Sequence, residues 1–208
     1  MTLYIIVAAC LILFTLFLIN SKLFNNFRKT NGRTFEFFIS IISTFTGFFI
    51  AVSLNTVLAE SAQKQNLIKV LNAANLSIEN SESKTKGMYI NPATSGANLN
   101  EIIQYAPVEL PKMFANMESN TLVSDYFSSN AFQAYIMCSD NMGTFVKDLN
   151  ATNVPIERKK AILNTYLKFL DLAKQVNTLE IQRLNGDIST GDENKALAKL
   201  NQEISTKK

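Results

Sequence analysis

Residues Phe37 to Ala59 read FFISIISTFTGFFIAVSLNTVLA, bracketed by Glu36 and Glu60 and holding no Asp, Glu, Lys or Arg. At 1.5 Å per residue this stretch of 23 residues exceeds the hydrocarbon thickness of a bilayer, about 30 Å. It predicts a transmembrane helix, and the rest of the chain is read outward from it.

Toward the N-terminus, Leu3 to Ile19 is a second uncharged run, 17 residues long, just sufficient to span. A cleaved signal peptide is the competing reading. No Lys or Arg precedes the run, however, and Ser21-Lys22-Leu23-Phe24 offers no small-x-small cleavage site, so a retained anchor is expected. The intervening loop, Ser21 to Thr34, carries Lys22, Arg28, Lys29 and Arg33 and no acidic residue. Because basic loops stay in the cytoplasm, this one is expected inside and both termini outside. With about 14 residues between the spans, there is no room there for an intracellular output domain. The expected location is the inner (plasma) membrane.

Composition divides the chain at the same place. Residues 1–59 hold 10 of the 15 Phe and four basic residues against Glu36 alone, whereas residues 60–208 carry 16 basic and 16 acidic residues. The positive excess thus belongs to one membrane-flanking loop, and nucleic-acid binding is not expected. There is no His, which removes Ser-His-Asp and Cys-His catalysis and His-ligated metals. Glu101, Glu109, Glu118, Asp125, Asp140 and Asp148 are scattered rather than paired, and no Trp supplies a sugar platform. An enzyme is not expected, nor a cofactor or metal. Neither span has an ionisable residue in its interior, which disfavours a pump or coupled transporter.

Within the second span, Ser43, Gly47, Ala51 and Asn55 recur every four residues and so share one helix face. Small residues let helices approach closely in lipid, and an Asn adds an interhelical hydrogen bond. The seam is expected to receive either the first span of the same chain or a second copy. Phe45 and Phe49 are placed on the opposite face, toward lipid.

Residues 60–208 show no strand pattern and read as all-α. Leu67, Val70, Leu71, Ala74 and Ile78 continue the helical period, predicting a stalk over residues 60–82. Ser83 to Asn100 has no period and is expected to be a long loop. From there to Asn116, Pro107 and Pro111 break the chain into two short helices. Ser129 to Asn150 carries an apolar side with Phe132, Tyr135, Met142, Val146 and Leu149. Pro155 opens the longest helix of this part, with Asn153 as its cap and Asn185-Gly186 as its stop. Thr190-Gly191-Asp192-Glu193 has capping-box spacing and predicts a last, surface-lying helix through Ile204. Residues 83–208 are therefore expected to form an exported helical bundle. Cys10 and Cys138 fall in different parts and cannot pair; Cys138 reads as a small buried hydrophobe.

Gly47-Phe48-Phe49-Ile50-Ala51-Val52-Ser53-Leu54-Asn55, running into Glu60 and Lys64, resembles the membrane segment of a group of uncharacterised bacterial proteins with the pattern Gly-x-x-Ile/Leu-Ala-x-x-Leu-Asn. That group usually has a Trp soon after the Asn, where Thr56-Val57-Leu58 stands here. The resemblance covers about 20 residues and implies a bacterial source, without an activity. The expectation is a membrane-anchored interaction protein of an envelope complex, whose partners are lipid and a protein subunit or a second copy. A small-ligand sensor module that relies on another protein for output is the alternative.

Overall fold

The computed structural model describes residues 2–21 and 25–206. Every regular element among them is helical, and two compact units emerge, Met1–Gln63 and Lys64–Lys208.

The first unit contains α1 (Thr2–Asn20), the short α2 (Asn25–Thr30) and the first half of α3 (Gly32–Thr85). The helical run that starts at Gly32 is the one helix among the described residues both long and apolar enough to cross a membrane; the apolar part described for α1, Ile6–Asn20, is shorter. Phe37, Phe38, Phe45, Phe48, Leu54 and Leu58 of α3 point outward, as does much of α1, including Leu13, Phe14 and Phe17. Such a surface suits lipid and not water. The hydroxyl groups in it are satisfied within the helix: Thr46 donates to the Ile42 carbonyl at 2.8 Å, Ser53 to that of Phe49 at 2.8 Å and Thr56 to that of Val52 at 2.9 Å. This is how a polar side chain is carried where water is absent. Phe35, Thr46 and Ser53 are buried while Ile39, Ile42, Phe49 and Thr56 are half-buried. The covered face of α3 thus advances by alternating steps of four and three residues, the repeat of a helix–helix seam. Phe49, expected toward lipid, belongs to this covered face; Phe45 is exposed as expected.

The second unit is a helical bundle. Its central pair is α8 (Ser129–Asn150) and α9 (Ile156–Asn185), joined by five residues and packed along each other, and α10 (Thr190–Thr206) packs on both. Leu67, Leu71, Ala74 and Ile78 of α3 are fully buried or nearly so in the same core as Tyr135, Tyr166, Phe169, Leu170 and Val176. Polar contacts tie α3 to α9: Asn177 donates to the Asn75 carboxamide oxygen at 3.0 Å, and Lys174 pairs with Glu79. Aromatic packing fills the centre, with the Phe114 and Tyr135 rings stacked at 4.5 Å and Phe145 edge-on to Phe169 at 5.2 Å.

Several boundaries differ from the expectation, each for an identifiable reason. The segment 83–100 is not a loop. The helix runs on to Thr85, widens into a π-helical turn at Lys86–Ile90 and continues as α4 (Asn91–Thr94) before α5 (Leu99–Tyr105) begins. Buried Tyr89 anchors the widened turn, its hydroxyl donating to the carbonyls of Ala106 at 2.9 Å and Pro107 at 3.1 Å. Pro92 sits in the first turn of α4, where a missing N–H costs nothing. The two prolines do separate two short helices, α5 and α6 (Lys112–Glu118), and a further one, α7 (Thr121–Tyr126), follows. Asn153 does not cap α9; Pro155 occupies the cap position without a side-chain bond. Gly186 closes α9 with φ +81°, the left-handed conformation that glycine adopts without strain. The capping box of α10 lies one residue earlier than expected. Ser189 Oγ accepts from the Asp192 amide at 3.2 Å and donates to its carboxylate at 2.7 Å. That shift turns Glu193 inward. With Leu197, Leu200 and Ile204 also buried, α10 is a core helix and not a surface one; each such aliphatic side chain contributes about 1.5–3 kcal/mol.

Candidate functional site

The residues singled out in the N-terminal unit lie apart from any cluster of reactive groups. Ser43, Gly47, Ala51 and Asn55 share one exposed face of α3, away from the covered Phe35–Thr56 face, and a side chain built at Gly47 would meet nothing within 4 Å. Lys29 and Arg33 are exposed and flank the start of α3; Arg28 lies on α2, and Lys22 falls outside the described residues. Lys29 and Glu36 line a cavity of about 650 Å³ with Ile19, Phe35 and Ile39.

The acidic residues of the second unit are dispersed into local contacts. Glu101 accepts from Asn98 at 2.9 Å, Glu118 from Ser139 at 2.6 Å, Glu109 pairs with Lys84 at 3.6 Å and Asp148 with Arg158 at 3.8 Å. No group of three or more potential metal ligands exists among the described residues. Cys138 is buried and burial pushes its thiol up to about 12, so it holds its proton at neutral pH.

A concentration of charge does occur, in residues the sequence did not flag. Glu180 of α9 and Glu193 of α10 are both fully buried and meet at the start of α8 beside Arg183. Glu180 accepts from the Ser128 amide at 3.1 Å and from Arg183 Nε at 3.0 Å. Arg183 also donates to the Tyr126 carbonyl at 2.8 Å and reaches Glu193 Oε2 at 3.5 Å. Ser128 Oγ donates to Glu193 Oε1 at 3.1 Å while accepting from the Ala131 amide at 3.2 Å. One guanidinium therefore faces two carboxyl groups. Desolvation raises the Glu193 carboxyl to about 7, and the neighbouring Glu180 carboxylate adds to this; Ser128 and Arg183 oppose it. Glu193 Oε2 accepts no hydrogen bond, so a negative charge on this carboxyl is left poorly compensated, in keeping with the upward shift. The cluster joins three helices and holds one proton near neutrality. Its two carboxyl groups are buried while the Arg183 side chain stays 21% exposed, so the charge state of the cluster bears on the packing of α10 against α8 and α9. In the sequence Glu193 reads as part of a cap, and Glu180 and Arg183 as an i, i+3 pair, which on a helix ordinarily means solvated surface.

On the outer side of the same helices, α9 and α10 enclose a groove of about 670 Å³. Leu179, Ala196 and Leu200 line it together with Asp171, Lys174, Asp192, Lys195 and Lys199. Lys174 is paired with Glu79, so Lys195 and Lys199 stand against Asp171 and Asp192, and the charges balance around an apolar strip.

Fold and sites thus define an all-α protein with a helical bundle and one long apolar helix. Comparison with known protein families, curated proteins and solved structures finds no match for this chain.

Proposed function

We propose that this chain is a membrane-anchored interaction protein of the bacterial envelope, whose bundle presents the α9–α10 groove to a partner subunit. The observation that carries the reading is the division of labour within α3. Within residues 37–59, Phe37, Phe38, Phe45, Phe48, Leu54 and Leu58 turn outward, while Leu67, Leu71, Ala74 and Ile78 are buried in the bundle core. One helix serves both as lipid anchor and as core element. In this reading α1 and α3 pair as a two-span hairpin across the seven-residue seam of α3, with the basic loop in the cytoplasm and residues 64–208 outside it. The outward polarity of the hairpin rests on Lys22, Arg28, Lys29 and Arg33.

The groove fits the apolar face of an amphipathic helix, because Leu179, Ala196 and Leu200 form an apolar strip between charges of both signs. A photo-crosslinking residue at Thr178, in the groove, is expected to yield a discrete adduct in cells, and Lys195→Glu with Lys199→Glu should diminish it. A chain that remains monomeric in detergent and yields no adduct would overturn the reading.

A further inference from the structure

Lys159 stands in the first turn of α9 and is only 3% exposed, yet no acceptor or carboxylate partners its ammonium among the described residues. Its position is unfavourable twice over: burial strips the charge of water, and the N-terminal end of a helix repels a cation. Burial accordingly pushes its pKa down. The neighbouring acidic side chains are turned to other cations, Glu157 to Lys160 at 3.1 Å and Asp148 to Arg158 at 3.8 Å.

Lys159 opens onto a cavity of about 370 Å³ between α5, the end of α8 and the start of α9, lined also by Asn100, Gln104, Asn150, Thr152 and Ile103. Asn100 and Gln104 are one turn apart on α5 and so face the cavity together. Asn100, Gln104 and Thr152 are exposed, and their side chains make no hydrogen bond among the described residues. The Asn150 carboxamide is already committed to the Val108 backbone at 3.0 and 2.9 Å; it forms wall rather than donor. No Asp or Glu lines the cavity.

We propose that this cavity binds a small carboxylic acid, its carboxylate on Lys159 and its remaining polar groups on Asn100, Gln104 and Thr152. A lysine whose stem is buried and whose ammonium opens toward uncharged hydrogen-bonding groups selects a monoanionic or dianionic acid of a few carbons. The absence of acidic lining disfavours an amine on the same molecule, so amino acids are excluded by charge. The site is independent of the α9–α10 groove and needs no partner protein.

The test uses the full chain in detergent micelles with succinate as probe and glutamate and inorganic phosphate as comparisons, at matched ionic strength. Calorimetric titration should show succinate binding that weakens roughly tenfold or more in Lys159→Met, the loss expected for a charge-assisted contact. In the unmodified chain, succinate should also slow acetylation of Lys159 by acetic anhydride relative to exposed Lys168, read by mass spectrometry. Phosphate or glutamate binding as tightly as succinate would overturn the assignment of ligand class. Unchanged affinity in Lys159→Met, or no protection of Lys159, would overturn the site.

Discussion

The Ser128 hydroxyl caps α8 by accepting from the Ala131 amide, and donates to Glu193 of α10 at 3.1 Å. One side chain thereby ends the start of one helix and fixes another that begins more than sixty residues later.

That contact sets a pH dependence. Glu193 has its carboxyl raised from 4.5 to about 7 by burial and by Glu180, so the folded chain retains a proton that the unfolded chain has released. Stability associated with this group is complete below about 4.5 and is lost as pH rises toward about 7, levelling off above. Glu193→Gln, which keeps a neutral side chain of the same shape, should raise the melting temperature at pH 8 and flatten the fall between pH 5 and 7. Parallel melting curves for the two proteins across that range would sink the argument.

The position of this cluster marks the limit of what the sequence discloses. The all-α class and the ends of α8 and α9 are legible because each rests on a local signal: a periodic apolar stripe, a proline opening, Asn185-Gly186 closing. The segment 83–100 misleads because its polar residues cover a helix held by one buried tyrosine, whose acceptors, the Ala106 and Pro107 carbonyls, are 17 and 18 residues on. Glu193 misleads for the same reason. Its spacing fits a cap, and only the packing of α10 against α8 and α9 turns it inward. Lys159 is one lysine among several on α9 until α5 is brought against it.

Asn150 supplies a second stability test. Its carboxamide both donates to and accepts from the Val108 backbone, at 2.9 and 3.0 Å, holding the extended segment between α5 and α6 against the end of α8. Val108 is 3% exposed, so Asn150→Ala strands both its amide and its carbonyl. A loss of about 1–3 kcal/mol is expected, seen as a lower urea midpoint with the slope unchanged. A loss below a few tenths would mean that water replaces the side chain.

The orientation proposed for the anchor is open to labelling. With Cys10 and Cys138 replaced by serine, a cysteine at exposed Ser83 or Ser205 should react with a membrane-impermeant maleimide on intact cells or spheroplasts. One at exposed Asn31 should react only after permeabilisation. Protection at both distal positions together with labelling at Asn31 would invert the topology and remove the bundle from the envelope space.

Gly47 and Phe49 distinguish what the two faces of α3 do. Phe49 is half-buried on the covered face, whereas Gly47 is exposed and has nothing within 4 Å of a built side chain. Gly47→Ile therefore leaves contacts within the chain intact, and it costs nothing in helix propensity, because glycine is the poorer helix former. Whatever it disrupts must come from another molecule approaching the Ser43–Asn55 face. Phe49→Leu, by contrast, trims a contact inside the chain. If a second copy or a partner helix docks on the small-residue face, Gly47→Ile should abolish detergent-resistant association while monomer stability stays unchanged. Phe49→Leu should lower monomer stability with association intact. Gly47→Ile protein that associates normally would mean that Ser43, Gly47, Ala51 and Asn55 face only lipid, and would leave the groove between α9 and α10 as the sole proposed surface for a partner.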